Sequence, residues 1–355
     1  MKYFSVFNLG CRVNAAETNL FAQTLINEGF TPRHSRKSGN PPSIIFINTC
    51  SVTAKANVES LGLIRRLKKQ YPQAQIVISG CADTKNIKNL PNLSFLPNTN
   101  KETKLNILKS LYDTKVDDKF SHTHRYLLKV QAGCTAACSY CTVPLRRPYL
   151  WFLTINDAVN TVNQTVINDY QEIIITGVNL NQYAPGFSNL VEALLTQTKI
   201  SLISFGSIPL LCIDNKFLNL YKKYSPRLSH FLHIPLQSGS DKILKLMHRS
   251  YTKKIILEKI RNLKLEIKNL SIGTDIIVGF PGETESDFKE TLNLCKHIGF
   301  QKIHVFRFSP RPHTPAQKLS QKYPLLSKTE ISKRSRLIRS LIFQTTLPFH
   351  QTPET

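Results

Sequence analysis

The first third of the chain alternates short apolar runs with longer stretches in which apolar residues recur at helical spacing. The apolar runs cover residues 3–9, 44–48 and 76–79, and helical patterns cover about 15–28 and 54–70. Strands that alternate with helices predict a parallel sheet, because each helix carries the chain back to the start of the next strand.

The same alternation resumes at Arg125. Predicted strands cover 126–131, 172–176, 202–205, 231–235, 273–278 and 302–308, with helical patterns between them, for example at 155–166 and 253–265. Six such units in roughly 190 residues are too few for a full eight-fold barrel, which typically needs ~250. The predicted fold class is therefore α/β, with a small N-terminal parallel-sheet domain followed by a partial (β/α)6 barrel.

Breaks in the pattern predict the domain boundaries. We expect an N-terminal domain over 1–112, a linker over 113–124, a barrel over 125–317, and a basic helix with a tail over 318–355. The linker follows from the polar stretch Tyr112–His124, and the loop Ser35–Ser43 is likewise irregular. Ser327 and Glu330 have the spacing of a capping box that opens the last helix, whose basic face either contacts phosphate or is simply solvated. The tail from Gln344 shows no core pattern.

Three cysteines follow the predicted N-terminal strands. Cys11, Cys50 and Cys81 each come one or two residues after a strand. Right-handed crossovers bring such strand ends to one edge of the sheet, where open α/β sheets bind ligands. This N-terminal cysteine trio therefore predicts an iron–sulfur cluster site that lacks a fourth protein ligand. Coincidence among loop cysteines is the alternative.

A second trio, Cys134, Cys138 and Cys141, has the spacing Cys-x3-Cys-x2-Cys in the loop after the first predicted barrel strand. These three residues, here called the barrel-loop trio, can hold three irons of a cubane cluster and leave the fourth iron open for a substrate or cofactor. A zinc site or three unrelated thiols are the alternatives. Zinc is disfavoured because no histidine lies between His124 and His230.

Charge and composition narrow the class of protein. Lysine plus arginine number 47 against 23 for aspartate plus glutamate, a net charge of +24. This excess favours nucleic acid as a partner, ahead of a membrane surface or a simple bias toward lysine. No apolar run approaches the ~20 residues of a membrane span, and the N-terminus is typical of a strand rather than a signal peptide. We therefore expect a cytoplasmic protein with no membrane partner.

A cytoplasmic location makes disulfides an improbable use of the eight cysteines. Metal binding or catalysis is the better interpretation. Cys212 and Cys295 lie in apolar surroundings and are predicted to be core thiols.

Polar, glycine-containing segments follow several predicted barrel strands, at 176–179, 237–240 and 279–284. Glycine lets backbone amides approach a ligand closely, and glutamine, serine and asparagine side chains supply hydrogen bonds. Each segment alone is also typical of an ordinary turn. Their recurrence after successive strands predicts a polar cofactor across the mouth of the barrel.

Together these motifs resemble those of the radical S-adenosylmethionine methylthiotransferases. The resemblance covers roughly residues 3–317. Besides the barrel-loop trio it rests on Leu-Gly-Cys-Arg-Val-Asn at 9–14, Ile-Asn-Thr-Cys-Ser-Val-Thr at 47–53, Ser-Gly-Cys at 79–81, His-Ile-Pro-Leu-Gln-Ser-Gly-Ser at 233–240, Asp-Ile-Ile-Val-Gly-Phe-Pro-Gly-Glu-Thr at 275–284 and Phe-Ser-Pro-Arg-Pro at 308–312. The first two segments are most similar to the threonylcarbamoyladenosine tRNA branch, and the isopentenyladenosine-type branch is its nearest neighbour.

The resemblance implies two [4Fe–4S] clusters. The barrel-loop trio would hold the cluster that cleaves S-adenosylmethionine, and the resulting radical would take hydrogen from C2 of a modified adenosine 37 in tRNA. The N-terminal trio would hold an auxiliary cluster that delivers sulfur, while a second S-adenosylmethionine supplies the methyl group. The thiolates act as ligands, and the chemistry belongs to the cofactors.

The resemblance also implies partners and cofactor-binding residues. The partners are the tRNA anticodon stem-loop and an electron donor such as flavodoxin or ferredoxin. The residues that match family motifs around S-adenosylmethionine are Gly177, Asn179, Gln237, Ser238 and Gly279. No catalytic residue is expected beyond the cluster ligands.

Three features depart from the family pattern. Pro144–Pro148 lacks the family's glycine and its second basic cluster, and Gly206–Pro209 lacks an acid. The sequence also stops where the family continues into a small C-terminal β-barrel that binds tRNA, so either the basic helix replaces that barrel or the gene is decaying. Alternatives are therefore an enzyme for another modified adenosine or a ribosomal-protein side chain, or a non-catalytic iron–sulfur RNA-binding protein.

Overall fold

A computed structural model describes residues 2–33, 40–84, 87, 91–98 and 125–344. The predicted linker 113–124, residues 35–39 of the predicted loop Ser35–Ser43, and the tail after Gln344 lie outside these residues. The chain divides into two units, one made of 1–136 with 142–206 and the other of 137–141 with 207–355. The domain boundaries expected from the sequence stay a prediction.

The first unit begins with a parallel sheet in the order β2-β1-β3-β4-β5. Its strands are β1 (Tyr3–Asn8), β2 (Thr31–Pro32), β3 (Ile44–Thr49), β4 (Gln75–Gly80) and β5 (Leu93–Phe95), and its helices are α1 (Arg12–Asn27) and α2 (Ala54–Gln70). The predicted strand–helix alternation is thus confirmed. The sequence pattern missed β2 and β5, because two or three residues are too few to show a period.

One helix covers each face of this sheet. Phe46 of β3 stacks on Phe21 of α1 with 4.1 Å between ring centroids. Its neighbours Ile45 and Ile47 point to the other face and pack in a cluster with Ile64 of α2. All three β3 side chains are fully buried. A strand buried on both faces reads as a continuous apolar run, which explains why residues 44–48 are recognisable in the sequence.

The first unit also holds a second sheet in the order β7-β6-β8-β9. Its strands are β6 (Arg125–Ala132), β7 (Trp151–Phe152), β8 (Glu172–Gly177) and β9 (Leu202–Phe205), and its helices are α3 (Val143–Arg146), α4 (Ile155–Ile167) and α5 (Phe187–Gln197). Strands β6, β8 and β9 are parallel, as expected. The short β7 is antiparallel to β6 and was not predicted.

The second unit contains three parallel strands, β10 (Phe231–His233), β11 (Ser271–Val278) and β12 (Lys302–Arg307). Its helices are α6 (Asn215–Tyr224), α7 (Asp241–Leu246), α8 (Lys253–Glu266), α9 (Glu285–Ile298), α10 (Pro315–Lys322) and α11 (Lys328–Ser340). All six strands predicted after Arg125 are therefore present. The Ser327 hydroxyl accepts a hydrogen bond from the Glu330 amide at 3.1 Å, so the last helix begins where the capping residues indicated.

Two further expectations concern the interior and the membrane. Cys212 and Cys295 are buried, and burial raises the pKa of each thiol to about 12, so their assignment as core thiols is confirmed. Across the described part of the chain, no helix has both the length and the apolar character needed to cross a bilayer.

Two glycine substitutions should have opposite effects on stability. Gly80 has φ +96°, and a Cβ there would lie 2.3 Å from the Thr49 carbonyl oxygen, so Gly80→Ala should lower the free energy of unfolding by more than about 2 kcal/mol. Gly62 lies in the exposed middle of α2 with no atom near its Cβ position, so Gly62→Ala should raise stability by about 0.5–1 kcal/mol. Urea unfolding of the apo chain, followed by circular dichroism, measures both. Equal effects of the two variants would contradict the backbone assignment at Gly80.

Candidate iron–sulfur and cofactor site

The register of the first sheet brings the N-terminal cysteine trio to one edge. In β1, β3 and β4, Asn8 lies opposite Asn48, and Asn48 lies opposite Ser79, so the three strands end side by side. Cys11, Cys50 and Cys81 follow these ends. Burial raises the pKa of the Cys50 thiol, and the charges of Cys81 and Cys11 add to the increase. The three thiols are thus close enough to influence one another's charge, and their joint binding of a cluster stays a prediction.

The spread of these thiols fits a cluster better than a single ion. A zinc ion binds each sulfur at ~2.3 Å, so its sulfur ligands lie within about 4.6 Å of one another. Among the described residues, the N-terminal trio does not form a group with all donor atoms within 4.8 Å. A cubane cluster binds each thiolate through a different iron and therefore accepts a wider spacing.

A buried network of charged side chains lies next to the loops that carry the N-terminal trio. The Arg147 guanidinium donates to both carboxylate oxygens of Glu17, at 2.7 and 3.0 Å, and to the Asn14 side-chain oxygen at 3.1 Å. The Lys129 ammonium donates to Glu17 at 2.8 Å. Burial opposes the charged form of Arg147, but Glu17 outweighs burial and holds the arginine pKa well above its usual value. The sequence did not reveal this network, because Glu17 lies 112 residues from Lys129 and 130 residues from Arg147.

Cys134 lies in the first unit, where a buried glutamine ties it to the loop after β8. The Gln131 side chain donates to the Gly133 carbonyl at 2.7 Å and accepts from the Asn179 amide at 2.8 Å. The Asn179 side chain in turn donates to the Cys134 sulfur at 3.5 Å. Gly177 is the last residue of β8 and comes immediately before this loop. Two of the predicted cofactor-binding residues are therefore brought to Cys134.

Cys138 and Cys141 lie in the second unit. The Arg249 guanidinium donates to the Cys138 sulfur at 3.5 Å and to the Pro235 carbonyl at 3.3 Å. Arg249 therefore connects Cys138 with the segment that leads to Gln237. N–H groups directed at sulfur stabilise thiolate ligands and tune the metal group they hold.

The segment after β10 is held by its own polar groups. Gln237 has φ +75°, and its backbone hydrogen bonds to Asp275 and Ile277 of β11. The Ser238 hydroxyl is buried and lies 3.2 Å from the Thr291 hydroxyl of α9. The Ser238 hydroxyl therefore connects this segment to α9. The backbone of Ser238 is then the part left to contact a ligand.

The turn around Gly279 is held by the last helix. The Glu283 carboxylate accepts from the Gly279 amide and from Arg334 of α11, both at 2.8 Å. Arg334 and Glu283 are both buried. A Cβ on Gly279 would lie 2.7 Å from the Ile331 side chain, so only glycine allows α11 to approach this closely. The basic helix thus has a structural role that its sequence pattern did not indicate.

Removing Arg334 should weaken the Gly279 turn. Arg334→Met leaves the Glu283 carboxylate buried without its cation, which should lower the free energy of unfolding by about 3–5 kcal/mol. The matched variant Arg336→Met removes an exposed charge from the same helix and should change stability by less than about 0.5 kcal/mol. Denaturant unfolding of the apo chain measures both. Equal stability of the two variants would show that Arg334 does not hold the turn.

One further cluster escaped the sequence analysis. The carboxylate oxygen of Asp275 lies 2.8 Å from Nε2 of His233 and 3.1 Å from Nδ1 of His304. These residues come from three adjacent strands, β10, β11 and β12, and are separated by 42 and 29 positions. His233 and Asp275 each begin a quoted motif, but no short motif shows that they meet each other and His304. One carboxylate oxygen of Asp275 thus meets one ring nitrogen of each histidine.

Two family models match the chain. Residues 128–295 match the Radical SAM superfamily, and residues 3–95 match the Uncharacterized protein family UPF0004. The Radical SAM match covers residues of the second sheet and of the second unit, and the UPF0004 match covers the N-terminal sheet.

Curated relatives cover most of the chain. The threonylcarbamoyladenosine tRNA methylthiotransferase MtaB of Thermotoga maritima is 32% identical over 93% of this chain and 80% of its own length. The MtaB of Aquifex aeolicus is 32% identical over 94% and 86%. The tRNA-2-methylthio-N(6)-dimethylallyladenosine synthase of a Sulfurihydrogenibium species is 31% identical over 94% and 82%.

Solved structures agree on the fold. The radical S-adenosylmethionine methyltransferase TsrM of Kitasatospora setae superposes with a TM-score of 0.65 at 10% identity, covering 89% of this chain and 75% of that one. The likeness supports the fold alone. The α/β class with an N-terminal parallel-sheet domain and a partial (β/α)6 barrel is confirmed. This chain is 32% identical to two of these relatives and covers 80% and 86% of their lengths. It therefore belongs to the radical S-adenosylmethionine methylthiotransferase family.

Proposed function

We propose that this protein adds a methylthio group at C2 of N6-threonylcarbamoyladenosine 37 in tRNA, beside the anticodon. Membership of the family makes it a radical S-adenosylmethionine enzyme that uses [4Fe–4S] clusters. The choice of nucleoside is supported by relatives named for threonylcarbamoyladenosine, at 31–32% identity. The first two sequence segments, 9–14 and 47–53, favour the same branch.

The observation that carries the proposal is the presence of two separate cysteine trios. In our proposal Cys134, Cys138 and Cys141 hold one cluster, and Cys11, Cys50 and Cys81 hold the other. When bound, the two clusters and S-adenosylmethionine supply the radical, the sulfur and the methyl group. The protein's own part is to hold the thiolates: Asn179 donates to the Cys134 sulfur, and Arg249 donates to the Cys138 sulfur.

Five residues would bind and orient S-adenosylmethionine: Gly177, Asn179, Gln237, Ser238 and Gly279. Their support differs. Gly177 and Asn179 lie in the loop that Gln131 ties to Cys134. Gln237 and Gly279 offer backbone in left-handed conformations, with φ +75° at each. Ser238 would act through its backbone, because its hydroxyl is engaged by Thr291.

The charge distribution supports tRNA as the substrate. The net charge of +24 favours a polyanion, and a single-stranded loop such as the anticodon loop exposes its bases for recognition. On α11 the buried Arg334 faces the protein, whereas Lys333, Arg336 and Arg339 are exposed. Arg339 also donates to the Val305 carbonyl at 3.3 Å, and Lys333 lies 3.9 Å from Glu330. An electron donor such as flavodoxin or ferredoxin and a cytoplasmic location belong to the same proposal.

Nucleoside analysis tests the substrate. In tRNA from a deletion strain, the methylthio form of threonylcarbamoyladenosine should disappear and threonylcarbamoyladenosine without the methylthio group should accumulate, as measured by mass spectrometry of digested tRNA. Restoring the gene should reverse both changes. Loss of a methylthio-isopentenyladenosine instead would assign the enzyme to the other branch, and an unchanged profile would rule out tRNA methylthiolation.

Cysteine variants test which trio serves cleavage of S-adenosylmethionine and which serves sulfur insertion. Cys138→Ala should abolish cleavage of S-adenosylmethionine, because it removes a ligand of the cluster that binds it. Cys50→Ala should preserve cleavage but stop sulfur insertion. The core-thiol variant Cys295→Ala serves as the control and should keep both activities. Release of 5′-deoxyadenosine and formation of methylthio-nucleoside are measured in one anaerobic assay, and sulfur insertion by Cys50→Ala would refute the auxiliary-cluster assignment.

A further inference from the structure

Three side chains that can bind a metal ion share one face of the three-stranded sheet in the second unit. His304 of β12 lies opposite Asp275 of β11 in the parallel register. His233 of β10 lies opposite Gly273 of β11. Because alternate residues of a strand point to the same face, Asp275 points to the same face as Gly273. The register therefore places His233, Asp275 and His304 on a common face.

Gly273 makes room for the buried histidine. A Cβ at this position would lie 2.8 Å from Nδ1 of His233. The imidazole therefore uses the space beside Gly273, and its other nitrogen, Nε2, lies 2.8 Å from the Asp275 carboxylate. A larger residue at position 273 would displace the ring. The glycine thus allows His233 to reach along β11 to Asp275.

The separations between the three donor atoms fit neighbouring positions around one metal ion. The Asp275 carboxylate oxygen lies 2.8 Å from Nε2 of His233 and 3.1 Å from Nδ1 of His304, and all three atoms lie within 4.8 Å of one another. With metal–ligand bonds of ~2.0–2.1 Å, two ligands at a right angle are ~3.0 Å apart, and two at the tetrahedral angle are ~3.4 Å apart. The observed distances correspond to adjacent ligands on one side of an ion.

The types of donor atom narrow the class of ion. Imidazole nitrogen suits zinc, copper, iron and nickel, whereas magnesium and calcium prefer oxygen ligands. The His233 side chain is 7% exposed and that of Asp275 is 18% exposed, while that of His304 is 47% exposed. An ion therefore reaches the site from the side of His304, where water completes its coordination.

We propose that His233, Asp275 and His304 form a binding site for a divalent first-row transition-metal ion. The site shares no residue with either cysteine trio and contains no sulfur ligand. When the ion binds, each histidine presents an unprotonated nitrogen and Asp275 presents a carboxylate oxygen. The ion thus replaces the protons that otherwise join the three side chains, and these protons leave to solvent.

A hydrogen-bonded cluster that binds no ion is the competing explanation. Distances of 2.8 and 3.1 Å also suit hydrogen bonds from the two rings to the carboxylate. The two explanations therefore agree on the geometry without an ion. They differ when a metal ion is offered, because only a metal site loses its ion when any one of the three side chains is replaced.

The test uses the full chain with its clusters reconstituted anaerobically, so that iron occupies the cysteine trios. Dialysis against micromolar zinc, followed by elemental analysis, gives the zinc bound per chain. The parent should retain about one zinc more than His304→Gln or Asp275→Asn, since each variant removes one of three ligands. Their affinity should fall by more than the ~10–100-fold that is typical when a residue that only orients a ligand is lost.

The matched control is His297→Gln, which removes an exposed histidine from the last turn of α9 and should keep the zinc content of the parent. Since the His304 side chain is about half exposed, its replacement should preserve the far-ultraviolet circular dichroism spectrum. X-ray absorption at the zinc edge should show nitrogen or oxygen neighbours at ~2.0–2.1 Å and not sulfur at ~2.3 Å.

Equal zinc contents of the parent, His304→Gln and Asp275→Asn would overturn the proposal and leave a hydrogen-bonded cluster. A zinc shell made of sulfur would overturn it as well. Zinc on cysteines that hold no cluster adds equally to all the variants and cancels in the comparison. A chain that binds zinc through these side chains but fails to load its clusters would therefore support the metal site and contradict only the proposed function.

Discussion

The parallel register of three N-terminal strands is the constraint on which the proposed auxiliary-cluster site depends. Because Asn8, Asn48 and Ser79 occupy adjacent register positions, the residues that follow them meet at one edge. No single loop contains this site. It exists only when the sheet is folded, so the apolar packing of Phe46 and its neighbours against α1 and α2 also sets the position of the thiols.

A second theme is that buried polar side chains hold the cysteine-bearing and glycine-bearing loops. Gln131 fixes the Asn179 loop near Cys134, Arg249 fixes Cys138, and Glu283 with Arg334 fixes the Gly279 turn. Each of these groups satisfies several backbone or side-chain partners at once. Removing one partner leaves a buried polar group unpaired, which makes such positions sensitive to substitution. The loops proposed to bind the cofactor are therefore anchored to the fold by buried hydrogen bonds.

Local patterns predicted most of the elements and both cysteine trios, because strand periods and cysteine spacing are short-range signals. The strands β2, β5 and β7 are two or three residues long and carry no detectable period. The pairing of Arg147 with Glu17 spans 130 positions, so nothing in either local segment indicates it. The basic pattern of α11 was recognised, but the inward role of Arg334 depends on a carboxylate 51 positions away. Long-range polar pairing is thus the part that required the structure.

The iron and sulfide content of anaerobically purified protein, read together with its electron paramagnetic resonance spectrum, tests the account most directly. Two [4Fe–4S] clusters predict about eight iron atoms and eight sulfides per chain. Replacing either cysteine trio by alanine should leave about four of each. A native chain that binds only one cluster, or a colourless chain that binds none, would contradict the account.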